Sequence, residues 1–266
     1  DLVIAGHWGP VTVFHNTGSG WERKTNNGLD ATNGWWNCLE VTDIDQDGDL
    51  DLIAGNWGLN SKFRASPDTP MTLYRSDFDQ NGSVEPVVTY FHKGVETPFA
   101  SRDELGKQMP FLNKKFRTYH DFAGATLEEL FSSTALEKAE KKQVFELRSC
   151  VFLNDGHGQF EKIPLPNIAQ ASTIYDFLPE DLDRDGDTDL ILIGNLYEMS
   201  TQLGRLDALQ GLVLKNTGGG SFSWAPELAL PVSGAGRAIE PLRIENKEHF
   251  IIGRNNATPI FLSKHE

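Results

Sequence analysis

The residues best suited to chemistry in this chain are aspartates set at alternate positions. The stretch DIDQDGDLDL at 43–52 places Asp43, Asp45, Asp47, Asp49 and Asp51 around Gly48. DLDRDGDTDL at 181–190 repeats the layout with Asp181, Asp183, Asp185, Asp187 and Asp189 around Gly186. DFDQNGSVEP at 77–86 is a third version, with Asp77, Asp79, Asn81, Ser83 and Glu85 around Gly82. Together they hold 13 of the chain's 38 carboxylates, so the acidity is local and not spread over a surface. Like charges this close repel unless a cation lies among them. Calcium takes six to eight oxygens at about 2.3–2.6 Å, and alternate residues of a tight loop can aim them at one point.

Counting the first Asp as position 1, side chains are offered at positions 1, 3, 5 and 9. Glycine at 6 permits the sharp turn. Position 7 would give its backbone carbonyl, and it is Asp49, Ser83 or Asp187, as suits a place whose side chain is free to vary. The 77–85 loop has fewer charges and is expected to bind more weakly. The reading is therefore Ca²⁺ at three sites. A helix-flanked calcium loop would need a bidentate Glu at position 12, where this chain has Ala54, Val88 and Leu192. Those residues sit in apolar, β-branched runs, so each loop is expected to close at position 9 and to join the strands of a β-hairpin. The competing reading is an Asp/Gly-rich turn without metal, and three matched loops weigh against it.

The elements that position these loops also repeat. DLIAGNW (51–57), DLILIGNL (189–196) and DLVIAGHW (1–8) are one phrase. Asp1 thus falls at position 9 of a further loop, expected to be cut through, with the natural protein beginning upstream. VFHNTGSGW (13–21), VFLNDGHGQF (151–160) and VLKNTGGGSF (213–222) share a strand, an Asn-x-Gly-x-Gly turn and an aromatic. Such turns need positive φ, which Asn and Gly supply. Short strands recurring at this interval predict an all-β repeat architecture.

The aspartate loop, the apolar run ending in Gly-Asn, and the N-x-G-x-G-x-F turn together resemble FG-GAP/VCBS repeats. The resemblance covers residues 1–92 and 144–262. GWWN (34–37), GNWGLNSKF (55–63) and GRLDALQG (204–211) are similar to large secreted FG-GAP proteins of Bacteroidetes, the type associated with ASPIC/UnbV domains. The resemblance implies an integrin α-like β-propeller spanning 1–266, with four to five blades present out of a seven-bladed ring. The pieces expected are 1–25, 36–92 with two calcium hairpins, 144–165, 172–225 and 236–262. It further implies a secreted or cell-surface bacterial protein. Extracellular modules bind calcium at about 10⁻⁴–10⁻³ M, which suits that location.

Residues 101–142 break the repeat and read as a helical insertion of three or four helices. Ser101 with Glu104, Thr126 with Glu129, and Thr134 with Glu137 each form a capping-box pattern. Leu105, Met109, Leu112, Phe116 and Tyr119 keep helical spacing, a stripe expected to pack on the propeller or to cap one face. Trp35, Trp36 and Trp57 are candidates to stack on a sugar ring or anchor a protein, although aromatics packed between blades are the commoner case. Arg205 and Asp207, between two glycines, suit a structured polar loop held by an internal salt bridge.

The net charge of −14 argues against nucleic acid and against anionic membrane surfaces. No apolar run is long enough to span a bilayer. Cys38 and Cys150 read as free thiols in preference to a disulfide. No nucleophile elbow, zinc-protease, P-loop or dinucleotide motif occurs. The leading expectation is a non-catalytic module binding glycan or extracellular protein. A propeller-based polysaccharide lyase or hydrolase, and a purely structural repeat region, are the alternatives.

Overall fold

The computed structural model describes residues 1–263 apart from Thr201 and Asn246. It divides into two compact units, Asp1–Lys62 with the chain from Leu147 onward, and Phe63–Glu146. The chain is mostly β, in several small antiparallel sheets, as the repeats predict. Among the described residues no helix is long and apolar enough to cross a membrane.

In the first unit, β1 (Leu2–Ile4), β3 (Thr12–Asn16) and β4 (Trp21–Arg23) form a three-stranded sheet. A small ribbon pairs β2 (His7–Gly9) with β5 (Gly34–Trp35). The next sheet joins β6 (Cys38–Thr42), β7 (Asp51–Gly55), β12 (Cys150–Asn154) and β13 (Phe160–Pro164) in the order β13-β12-β7-β6. Then β14 (Ile174–Glu180), β15 (Asp189–Gly194), β16 (Leu212–Asn216) and β17 (Phe222–Trp224) form a meander in sequence order. The last sheet is β18 (Gly236–Ile244), β19 (Lys247–Arg254) and β20 (Ile260–Ser263).

Consecutive sheets stack face to face. Val11, Trp36, Leu52 and Phe152 fill the first interface, and Ile53, Val151, Phe177 and Leu192 the second. Ile191, Val213, Ile239 and Phe250 fill the third. Strands β7 and β15 are therefore covered on both sides and buried along their whole length. That is why LIA and LILI are unbroken apolar runs and do not alternate with polar residues.

The second unit holds β8 (Met71–Ser76), β9 (Glu85–His92), β10 (Val95–Pro98) and β11 (Glu140–Val144) in the order β10-β9-β8-β11. Five short helices lie between β10 and β11: α1 (Arg102–Gln108), α2 (Phe111–Lys115), α3 (Tyr119–Gly124), α4 (Leu127–Phe131) and α5 (Ser133–Lys138). The expectation of one blade over 36–92 is thus corrected. Its two hairpins belong to different sheets, because β7 takes β12 as its next neighbour and the chain between them folds on itself. The helical stripe packs, as expected, on a repeat hairpin, the one at 77–85. Leu105, Met109, Leu112 and Phe116 close over Tyr74, Phe78 and Val87 of their own unit. Tyr119 leaves the stripe and is 63% exposed. Ser101/Glu104 and Thr126/Glu129 form the capping boxes expected of them. Thr134 does not cap; Ser132, at φ 62°, accepts from the Ala135 N–H and starts α5 two residues earlier.

Both cysteines are free, as read from the sequence. Burial pushes the Cys38 thiol well above its ordinary pKa, and the nearby Asp176 charge adds to this.

The glycine ending each repeated apolar run meets different surroundings. A Cβ on Gly194 would fall well inside contact distance of the Thr173 carbonyl oxygen, whereas one on Gly6 would meet nothing within 4 Å. Gly194→Ala is therefore expected to cost more than about 2 kcal/mol and Gly6→Ala less than about 1 kcal/mol. Denaturant unfolding checks this, and equal losses at the two positions contradict it.

Candidate metal centres

All three acidic stretches connect antiparallel strands: 43–51 joins β6 to β7, 77–85 joins β8 to β9, and 181–189 joins β14 to β15. None is flanked by helices, as expected. The loops also share backbone form. Gly48, Gly82 and Gly186 have φ of 97°, 88° and 98°. Open space surrounds each of them, so conformation and not room requires glycine there. Position 4 is left-handed as well, at Gln46, Gln80 and Arg184, with φ of 62°, 60° and 63°.

The hydrogen bonds recur position by position. The position 6 N–H donates to the position 1 carboxylate, from Gly48 to Asp43 at 3.1 Å, Gly82 to Asp77 at 2.9 Å and Gly186 to Asp181 at 3.2 Å. The position 7 N–H donates to the side chain at 5, from Asp49 to Asp47, Ser83 to Asn81 and Asp187 to Asp185. The position 2 N–H donates to position 9, from Ile44 to Asp51 at 2.8 Å, Phe78 to Glu85 at 3.0 Å and Leu182 to Asp189 at 3.1 Å. The side chain at position 9 is the buried one in each loop, with Asp51 and Asp189 at 0% and Glu85 at 6% exposure.

Carboxylate oxygens at positions 1, 3 and 9 converge. Asp43, Asp45 and Asp51 form one group, Asp77, Asp79 and Glu85 a second, and Asp181, Asp183 and Asp189 a third, with the offered oxygens of each group within 4.8 Å of one another. Asp47, Asp49, Asp185 and Asp187 stand outside these groups. The side chain of Asp187 accepts from Gln46 Nε2 at 3.3 Å, and that of Asp49 faces Gly156.

The donor set is hard oxygen throughout, which suits calcium or another hard divalent ion and not a soft one. Two further observations favour a cation. Asp43 Oδ1 and Asp181 Oδ1 are buried atoms with no hydrogen-bond partner, a costly state for a carboxylate oxygen. Burial also pushes the Asp51 and Asp189 carboxyls above the usual aspartate range; backbone N–H donors oppose this, and the other loop aspartates reinforce it. In the 77–85 loop, Asp77 uses its Oδ1 to accept from the Asn81 N–H at 3.0 Å. That loop has fewer charges and a more self-satisfied first position.

Asparagines, which the sequence reading took only as turn residues, tie the repeats together. The N–H of Asn154 donates to Asp51 Oδ1 at 2.8 Å, and that of Asn216 to Asp189 Oδ1 at 2.9 Å. Asp1 Oδ1 accepts from the Asn16 N–H at 2.9 Å, the bond that position 9 accepts in the two later repeats. Asn216 Nδ2 also donates to the Ile44 carbonyl at 2.9 Å, and Gln46 Nε2 to the Gly186 carbonyl at 2.5 Å, so the 43–51 and 181–189 loops are bonded to each other. At the far end of the strands, the buried Asn195 side chain bonds the Leu209 N–H and carbonyl, the Gly234 carbonyl and the Ser172 hydroxyl. Asn56 Oδ1 likewise accepts from the Trp35 and Trp57 N–H groups. Recurrence of Gly-Asn in the apolar phrase was the available signal.

The aromatic candidates separate. Trp36 is 2% exposed, packs edge-to-face on Phe152 and donates to the Thr32 carbonyl, so its faces are not offered to a ligand. Trp35 is 9% exposed and sits between Trp8 and Trp57 in an edge-to-face row, with centroids 5.3 and 5.0 Å away. Trp57 is half-buried and bonds Ser61. Arg205 and Asp207 are both exposed, and no ion pair joins them; Arg205 lies over the Tyr197 ring, 5.2 Å from its centroid. The polar loop is held by Leu206 instead, buried and bridged to Leu196.

Stacked antiparallel sheets with acidic hairpin loops define a β-repeat protein with candidate cation sites. Residues 1–54 match the family of FG-GAP-like repeats, which supports the resemblance drawn from the motifs. No curated protein matches the chain.

Asn195→Ala would strand several buried polar groups at once and is expected to cost about 3 kcal/mol or more. Asn16→Ala loses one exposed bond, to the Gly18 N–H, and is expected to cost less than about 1 kcal/mol. Urea denaturation of the two variants measures the difference; a mild Asn195→Ala effect contradicts the importance given to its buried bonds.

Proposed function

We propose that this chain is a non-catalytic, calcium-stabilised β-propeller region of a secreted or cell-surface bacterial protein, of the large FG-GAP type found in Bacteroidetes. Its task is to present a rigid surface for binding glycan or extracellular protein. The observation that carries the reading is the threefold recurrence of one carboxylate arrangement on hairpins, with buried, partnerless oxygens at Asp43 and Asp181. Asp43, Asp45, Asp47 and Asp51 would hold one ion and Asp181, Asp183, Asp185 and Asp189 a second. Asp77, Asp79, Asn81 and Glu85 would hold a weaker third. Asp49, Ser83 and Asp187 would contribute through the backbone. The ion supplies positive charge where burial makes carboxylates costly, and its binding energy adds to the stability of the fold.

Support for a binding role comes from the FG-GAP-like match at residues 1–54. Trp8 and Trp57 are the tryptophans of the row left partly accessible beside Trp35, and they are the place to seek a stacked sugar ring.

Calcium dependence is the direct test. In millimolar calcium, about tenfold over a Kd of about 10⁻⁴ M, each ion adds about 1.4 kcal/mol, roughly 3 °C or more for a unit of this size. Melting in millimolar calcium and again in chelator should therefore differ by at least this amount. Superimposable melting curves rule the proposal out.

A further inference from the structure

Lys215 occupies a place that the repeats use in three different ways. It is the residue just before the asparagine that bonds position 9. In the first repeat that residue is His15, whose Nδ1 lies 2.9 Å from Asp1 Oδ1. In the second it is Leu153, which packs against the apolar cluster containing Ile44 and Ile53. In the third it is Lys215, whose ammonium touches Asp183 Oδ2 and lies 3.0 Å from Asp185 Oδ2. The place is thus adjacent to the acidic loop, and the sequence puts an apolar group there in one repeat and a cation in another.

The two loops of this unit are otherwise closely matched. Each has five aspartates at the same positions, the same backbone form and a buried partnerless oxygen at position 1. They differ at position 4, Gln46 against Arg184, and Arg184 makes no ion pair among the described residues. They differ also in Lys215, whose amine is bonded to two of the aspartates. A divalent ion in the 181–189 loop would compete with that amine for the Asp183 and Asp185 carboxylates.

We propose that Lys215 is a built-in competitor for the ion of the 181–189 loop, setting that loop's affinity below that of the 43–51 loop, which has Leu153 in the corresponding place. This rests on the cation reading of both loops. The Lys215 side chain is 34% exposed, so on ion binding it can move into water. The cost of that movement is the loss of two charge-assisted bonds, partly screened by solvent. The loops would then fill in order as calcium rises, 43–51 first.

The experiment is a calorimetric calcium titration of the whole chain and of Lys215→Met, Lys215→Arg and Asp183→Asn. Asp183→Asn identifies the step that belongs to the 181–189 loop by weakening or removing it. Lys215→Met is expected to tighten that step by about tenfold, while Lys215→Arg, which keeps the charge, leaves it weak. The step of the 43–51 loop is expected to stay where it is in all three variants. Calcium binding with the 181–189 step unmoved by Lys215→Met overturns the assignment to Lys215 and spares the cation reading. No calcium uptake by any of the four proteins overturns the cation reading and the assignment with it.

Discussion

The structure depends on a buried carboxylate at the ninth position of each acidic hairpin. Asp51 and Asp189 have no solvent exposure, and each accepts a backbone N–H from its own loop and another from the following hairpin. One residue thereby fixes the loop's path and joins the second strand of a sheet to the third. A charge placed so deep is costly without compensation, and two N–H dipoles offset only part of that cost. The acidic side chains at positions 1 and 3 would add repulsion if nothing positive lay among them. The same arrangement that organises the sheet therefore brings together carboxylates that could hold a cation.

The link reaches beyond one sheet. Asn216 holds Asp189 with its backbone and the Ile44 carbonyl with its side chain. Ile44 in turn donates its N–H to Asp51. Side-chain and backbone bonds thus run from one loop into its neighbour, while Ile53, Phe177 and Leu192 pack the interface between their sheets. At the other end of the strands, Asn56 and Asn195 perform the corresponding task with neutral groups. The sheets are tied by polar bonds at both ends and by apolar packing in the middle.

Much of this was legible in the sequence because it repeats. Alternating acids around Gly48, Gly82 and Gly186 gave the hairpins. The burial of β7 and β15 was visible in their unbroken apolar runs. The failures share a cause, which is that sequence spacing does not say which strands become neighbours. The hairpin at 77–85 follows the one at 43–51 closely, yet β7 pairs with β12, almost a hundred residues further on. The helical stripe was correctly spaced and packs on a repeat hairpin, though which one, with Tyr74, Phe78 and Val87, spacing did not say. Tryptophans resemble binding residues in any sequence, and only packing distinguishes the buried Trp36 from the half-buried Trp57. Side-chain pairing across strands, such as Lys215 with Asp183, lies outside what one segment of sequence can display.

A crystal structure of the chain grown in calcium tests the central claim most directly. The account predicts an ion about 2.3–2.6 Å from oxygens of Asp43, Asp45 and Asp51, with the otherwise partnerless Asp43 Oδ1 among its ligands. Clear density for these side chains with no ion between them, and with Asp43 Oδ1 turned toward solvent, would contradict it.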